Sequence, residues 1–184
     1  MIKKLSTLVA GLALICLTGC TSPQKGTAQN DVFSPIEVAV PERPAGQQDV
    51  IQLTTPKLDT VRVGFIGLGM RGPGAVERWT HIPGTKIVAL CDLLPENAER
   101  AQKIVTNAGM EAPVLYSGSE DAWKQLCERN DIDLVYIATD WKHHAEMGVY
   151  AMEHGKHVAI EVPSAMKLDE IWAIINTSEK TRKH

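Results

Sequence analysis

The chain has 184 residues, of which 44% are hydrophobic and 22% are charged, with a net charge of -3 and a pI of about 6.1. This balance gives no reason to expect nucleic acid or an anionic membrane surface as a partner. The stretch from Thr60 to His184 is long enough for one modest domain.

Residues 1–20 have the pattern of an export signal. Lys3 and Lys4 precede an apolar run over residues 5–17, and the segment ends in Leu17-Thr18-Gly19-Cys20. This pattern resembles a bacterial lipoprotein signal peptide. The run is shorter than the roughly 20 residues that a membrane-spanning helix needs, so it is left out of the fold. The resemblance implies cleavage before Cys20, a lipid on the Cys20 thiol, and a lipid-anchored location in the bacterial cell envelope, periplasmic or associated with the outer membrane. An uncleaved anchor is the alternative, and it also lies outside the cytoplasm.

Residues 21–59 have the composition of a linker. Pro, Gln, Ser, Thr, Asp and Gly are frequent there, and apolar residues occur only in short pieces such as residues 36–40. Such a segment would hold the folded domain away from a membrane surface, although part of it can pack on the domain as an edge strand. We therefore predict a signal peptide over residues 1–20, a linker over 21–59 and a domain over 60–184.

An apolar run from residue 61 to residue 66 leads into three glycines and then a helical pattern. Gly67, Gly69 and Gly72 have the G-x-G-x-x-G spacing. In a dinucleotide site the first glycine permits a tight turn, the second lets a pyrophosphate approach the backbone, and the third lets the helix pack on the strand. Three close glycines can also form a simple turn, so the spacing needs support from its context.

Asp92 supplies that context, since it follows the second apolar run at the distance expected of a ribose-binding carboxylate. A negative charge there would repel the extra phosphate of NADP, and Leu93, Leu94 and Pro95 offer no arginine to offset it. The predicted cofactor is therefore NAD. The alternative interpretation makes Asp92 the N-cap of the helix that begins near Pro95.

Apolar runs alternate with helical patterns along the whole domain. We predict strands at residues 61–66, 86–91, 114–116, 134–138 and 157–160. We predict five helices. The first follows the glycine turn, the second spans Pro95 to about Asn107, and the third starts near Ser119, which can cap it. The fourth ends at His154-Gly155, and the fifth has Leu168, Ile171, Ile174 and Ile175 on one face. The fold class is α/β, a doubly wound parallel sheet of Rossmann type with the strand order 3-2-1-4-5-6.

The loop after the fourth strand contains Trp141, Lys142, His143 and His144, and it would meet the nicotinamide side of a cofactor. Adjacent histidines do not share a helix face, so a helix start with cofactor contact is favoured over a metal site, and no metal is predicted. Cys91 and Cys127 are interpreted as buried free thiols, because nothing in the sequence pairs them.

Four features together resemble the Gfo/Idh/MocA oxidoreductase superfamily: the glycine turn, Asp92, the loop over residues 139–144 with the downstream run 153–158, and Glu161-Val162-Pro163. More narrowly, residues 67–74 and 140–144 resemble the N-terminal part of glycoside hydrolase family 109, known for α-N-acetylgalactosaminidases. The resemblance implies contacts with NAD from Met70, Arg71, Asp92, Trp141, Lys142, His143, His144, Glu161 and Val162.

Val162 departs from the wider superfamily, whose dehydrogenases usually have Glu-Lys-Pro at this point. Valine can neither donate nor accept a proton, which argues against an ordinary sugar dehydrogenase. The family 109 resemblance implies redox-assisted glycoside cleavage: oxidation at C3 of the sugar, elimination of the aglycone, addition of water, and reduction, with NAD recycled. An exported sugar oxidoreductase and a noncatalytic NAD-binding remnant remain open as alternatives.

The five strands lack the sixth that this strand order calls for, so we expect a C-terminally truncated chain with an exposed edge at residues 157–160. The resemblance implies a second α/β domain with the sugar-binding and proton-transfer residues, so the catalytic residues are unknown. The predicted partners are a carbohydrate substrate and a membrane, through the lipid anchor, with a second copy of the chain left open.

Overall fold

The computed structural model describes residues 37–184. Residues 37–41 belong to a separate unit without helix or strand, and a compact unit extends from Glu42 to His184. Its strands are β1 (Val61–Ile66), β2 (Thr85–Cys91), β3 (Val114–Tyr116), β4 (Leu134–Ile137) and β5 (His157–Ile160). Its helices are α1 (Gly72–Thr80), α2 (Pro95–Asn107), α3 (Ala122–Cys127), α4 (His144–Glu153) and α5 (Leu168–Thr181).

The five strands form one parallel sheet in the order β3-β2-β1-β4-β5. β1 lies at its centre, where Val63 pairs with Ile87 on one side and Leu134 on the other. The proline before Val114 suits β3, which is an edge strand. The predicted α/β class and the order of the five predicted strands are therefore confirmed.

Two apolar cores cover the two faces of the sheet, as a parallel sheet requires. One contains Val63, Phe65 and residues of α1 and α2; the other contains Ile66, Val135 and residues of α3 and α4. Gly64 faces the second core, where a Cβ would lie 2.7 Å from a methyl carbon of Leu126. A glycine in the central strand thus lets α3 pack closely against the sheet.

The C-terminal half of the predicted linker packs on α5. The buried carboxylate of Glu179 accepts hydrogen bonds from Arg43 Nε at 2.9 Å, Arg43 Nη2 at 3.0 Å and Gln47 Nε2 at 2.9 Å. Arg182 Nη1 donates to the carbonyl of Asp49 at 2.9 Å. These hydrogen bonds hold the pKa of Glu179 below its usual value. The compact unit therefore begins at Glu42 rather than at the predicted Thr60. The sequence did not show this, because composition carries no information about contacts between residues so far apart in the chain.

The edge at β5 is less open than we predicted. Arg182 adopts a left-handed conformation with φ of 55°, which turns the chain back toward the sheet after α5. The amide of Val158 donates to the carbonyl of His184 at 2.8 Å, and the β5 residues are half-buried. This backbone contact occupies part of the edge where a sixth strand would pair.

Ser119 does not cap α3, which begins later, at Ala122; its hydroxyl accepts from the amide of Asp121 at 3.2 Å. The predicted signal peptide, Cys20 and residues 21–36 lie outside the described residues. Within residues 37–184, no helix combines the length and the apolar character needed to cross a membrane.

Candidate functional site

A cleft of about 730 Å³ opens at the carboxyl ends of the strands, where parallel α/β sheets bind ligands. The glycine turn after β1 lies at its centre. Because of the strand order, Asp92 after β2 lies on one side of this turn, and the loops after β4 and β5 lie on the other. The cleft is lined by Ile66, Gly67, Gly69, Met70, Arg71, Cys91, Asp92, Leu93, Leu94, Asn97, Ser119, Glu120, Trp123, Ala138, Thr139, Asp140, Trp141, His143, His144, Met147, Glu161 and Val162.

The three glycines of the turn have different surroundings. Gly67 has φ of 89°, and a Cβ on it would lie 2.6 Å from the carbonyl oxygen of Ala138. A Cβ on Gly72 would lie 2.0 Å from the carbonyl oxygen of Gly67, so helix α1 can start here only without a side chain. Gly69 is exposed, and its Cβ would meet no atom within 4 Å. Gly67 and Gly72 are thus required by the fold, whereas Gly69 leaves space open at the cleft.

Asp92 joins the glycine turn to the start of α2. Its Oδ2 accepts from the amide of Leu68 at 2.6 Å, and its Oδ1 accepts from the amide of Leu94 at 2.9 Å and from Asn97 Nδ2 at 3.0 Å. The N-cap position belongs to Leu94, so Asp92 is not the N-cap residue. Arg100 Nη2 donates to the carbonyl of Leu68 at 3.1 Å and ties α2 to the same turn.

Asp140 organises the loop after β4. Its Oδ1 accepts from the amide of Lys142 at 3.1 Å, and its Oδ2 lies 2.6 Å from His143 Nδ1. Burial alone would raise the pKa of Asp140, but the contacts with His143 and Lys142 lower it, so the carboxylate stays ionised. Trp141, Lys142 and His143 are exposed.

His144, the first residue of α4, is only 1% exposed. Its Nδ1 lies 2.8 Å from the carbonyl oxygen of Pro163, and its Nε2 lies 3.1 Å from that of Thr139. The ring thus lies between the loops after β4 and β5, and the buried residue borders the cleft.

Glu161 and Val162 follow β5 at the cleft. The phenol of Tyr136 donates to Glu161 Oε1 at 2.5 Å, and burial, with Glu161 as a further cause, raises the pKa of Tyr136. Tyr136 therefore remains a donor and fixes the Glu161 side chain. Val162 is 81% exposed, so no other part of the described chain covers it.

Ten of the twelve predicted cofactor-binding residues line the cleft. The other two are Gly72, which lies behind the turn, and Lys142. The contacts of all twelve residues with NAD stay predictions. The structure adds residues that no motif identified, among them Met147 and Trp123, of which the sequence indicated only that Trp123 belongs to an apolar helix face.

Cys91 and Cys127 are buried free thiols, as the sequence predicted. Burial raises the pKa of each to about 12, so neither is a thiolate nucleophile, although Cys91 borders the cleft. Among residues 37–184, no three His, Cys, Asp or Glu side chains are grouped as metal ligands would be.

The open space at Gly69 and the carboxylate of Asp92 beside the turn suit a dinucleotide, whose pyrophosphate needs close approach to the backbone. Fold and cleft together define a Rossmann-type nucleotide-binding domain. A family model described as "Oxidoreductase family, NAD-binding Rossmann fold" matches residues 61–184. The chain therefore belongs to the Gfo/Idh/MocA oxidoreductase family, and its cofactor is NAD.

Curated relatives match the chain over its whole length. Glycosyl hydrolase family 109 protein 1 of Phocaeicola vulgatus is 84% identical over 184 residues, which are 100% of this chain and 39% of that protein. The protein of the same name from Bacteroides thetaiotaomicron is 71% identical over 185 residues, 100% of this chain and 38% of that protein. The chain thus spans about two fifths of the length of these relatives.

Solved structures share the fold at lower identity. A myo-inositol dehydrogenase from Lactobacillus casei, in complex with NAD(H) and myo-inositol, is 27% identical with a TM-score of 0.56, covering 65% of this chain and 33% of that one. A 3-ketoreductase from Actinomadura kijaniata, in complex with NADP, is 25% identical with a TM-score of 0.56, covering 67% of this chain and 37% of that one.

Proposed function

We propose that the chain forms the NAD-holding part of a glycosidase that removes terminal α-N-acetylgalactosamine by oxidation, elimination, addition of water and reduction. The observation that carries the proposal is Val162, an aliphatic residue that is 81% exposed at the cofactor cleft. The chain that contains it is 84% identical to a family 109 protein. Because Val162 cannot transfer a proton, it does not suit a dehydrogenase that relies on a lysine at this position.

The chain's own residues bind and orient the cofactor in this proposal. Gly69 leaves room for the pyrophosphate, Asp92 accepts hydrogen bonds from the ribose, and the loops after β4 and β5 border the nicotinamide side. When bound, NAD supplies a hydride acceptor that returns its hydride within the same turnover. Tyr136 holds the Glu161 side chain at this edge of the cleft.

The carbohydrate site and the proton-transfer groups are proposed to lie in the part of the relatives that this chain does not span. Unlike glycosidases that use two carboxylates, this reaction does not require a paired acid and carboxylate around the glycosidic bond. The cleft of this chain is therefore expected to hold the NAD that oxidises and then reduces the sugar.

The test is a chimera in which these 184 residues replace the matching segment of the Phocaeicola vulgatus relative. Purified chimera is incubated with an aryl α-N-acetylgalactosaminide without added NAD, and released aglycone and NADH are both measured. We expect aglycone release without net NADH. Net NADH would favour a sugar oxidoreductase instead. If the parent relative is active and the chimera shows neither product, the chain would instead be a noncatalytic NAD-binding remnant.

Val162→Lys in this chimera would restore the residue usual in the dehydrogenases. We expect it to slow aglycone release at least roughly tenfold, because a lysine at the cleft adds a charge and a competing proton-transfer group. Val162→Ile is the matched control and should stay close to the parent rate. Equal rates for the lysine and isoleucine variants would show that position 162 does not separate the two activities.

We further propose that Cys20 carries a lipid that anchors the mature chain to the cell envelope, with residues between Cys20 and Glu42 as the tether. The support is the Leu17-Thr18-Gly19-Cys20 sequence after an apolar run. Cys20→Ala should move the protein from the membrane fraction to the soluble fraction of a cell lysate and abolish incorporation of labelled palmitate. Unchanged fractionation and labelling would refute the anchor.

A further inference from the structure

His144 borders the cofactor cleft but is almost completely buried. The whole residue is 1% exposed, whereas the side chain of the neighbouring His143 is 51% exposed. Almost none of the His144 ring is therefore available to touch a ligand in the cleft.

Both ring nitrogens of His144 face backbone carbonyl oxygens from different loops. Nδ1 lies 2.8 Å from Pro163 O, in the loop after β5, and Nε2 lies 3.1 Å from Thr139 O, in the loop after β4. A neutral imidazole donates through one nitrogen, so it can hydrogen-bond to only one of the two carbonyls, whereas the protonated ring donates to both. The protonated ring joins two segments separated by more than twenty residues of sequence, and the neutral ring still packs between them.

These two loops border the same side of the cleft. Thr139, Asp140 and Trp141 line it from the loop after β4, and Glu161 and Val162 line it from the loop after β5. Asp92 lies on the far side of the glycine turn, beyond the reach of these contacts. A change in the separation of the two loops would therefore be expected to act on the predicted nicotinamide side and not on the predicted adenosine side.

We propose that His144 is a positioning residue, which sets the distance between the loops after β4 and β5 through its contacts with the carbonyls of Thr139 and Pro163. Binding of the nicotinamide half of NAD depends on this spacing, without a direct contact from the ring. Loops that are already held in place lose less conformational entropy when the ligand binds, so the ligand binds more tightly.

The test compares two ligands on the full chain: NAD, and ADP-ribose, which lacks the nicotinamide. We expect His144→Ala to weaken NAD about tenfold, the effect of one lost hydrogen bond to a buried acceptor, and to change ADP-ribose affinity less than about twofold. His144→Asn should recover most of the NAD affinity, because its side-chain amide can donate to Pro163 O. Glu146→Gln, an exposed change on the same helix, is the control and should affect neither ligand.

Hydrogen exchange without ligand separates positioning from direct contact. His144→Ala should increase amide exchange in residues 139–143 and 161–166, and exchange in the glycine turn should stay as in the parent. Equal losses of NAD and ADP-ribose affinity would point to general damage to the fold and overturn the proposal. Unchanged loop exchange together with weaker NAD binding would mean that the ring contacts the cofactor directly, and would overturn it as well.

Discussion

Gly69→Val is expected to abolish NAD binding while the protein stays folded. The backbone of Gly69 is exposed at the cleft, and a Cβ there meets no protein atom within 4 Å. The added side chain would therefore cost the free protein little, yet it would occupy the space that the pyrophosphate needs. We expect at least roughly a hundredfold loss of NAD affinity in a calorimetric titration, which is about 2.7 kcal/mol.

Two other glycines supply comparisons, one as a control for NAD affinity and one as a position where a side chain harms the fold. Gly74→Ala should keep NAD affinity and stability, because its Cβ would meet only Arg78 Nη1, at 3.5 Å. Gly72→Ala should lower the free energy of unfolding by about 1–3 kcal/mol, because its Cβ would lie 2.0 Å from the carbonyl oxygen of Gly67. If Gly69→Val bound NAD like the parent, the glycine turn would not be the pyrophosphate site.

The strands could be predicted almost to the residue because their apolar runs are bounded by strong local signals. β1 ends at a glycine turn, and β5 begins two residues after Gly155, which has φ of 80°. Parallel strands covered on both faces also need continuous apolar sequence, which β4 shows clearly. Local signals therefore predicted the position of most elements along the chain, whereas the strand order within the sheet came from the rule for dinucleotide-binding folds.

The rest depended on partners that the sequence does not display. The role that we propose for His144 rests on two backbone carbonyls, and no residue pattern records a backbone acceptor in another loop. Arg43 and Glu179 are 136 positions apart, so the linker-like segment was expected to pack, if at all, as an edge strand rather than on α5. Trp123 fits an apolar helix stripe equally well whether or not a cleft lies beside it.

Selection between NAD and NADP is not determined by the fold itself, since a solved structure with the same fold holds NADP. In this chain the selecting group is expected to be Asp92. Its carboxylate also holds the amides of Leu68 and Leu94, so it has a structural role beside the predicted ribose contact. A substitution here should therefore change both cofactor affinity and stability, and the two effects must be measured separately.

Asp92→Asn is the variant that separates them, because it keeps the side chain's size and removes its charge. The asparagine can still accept from Leu94 but cannot accept from Leu68 through its amide nitrogen, so we expect a stability loss of about 1–3 kcal/mol. NAD affinity should fall roughly 10- to 100-fold through weaker ribose hydrogen bonds, and NADP affinity should fall less, because the repelling charge is gone.

Glu120→Gln removes another carboxylate at the cleft and should leave the ratio of the two affinities unchanged. An unchanged NAD to NADP ratio in Asp92→Asn would leave Asp92 with the structural role alone, and cofactor selection would have to come from another group in the cleft.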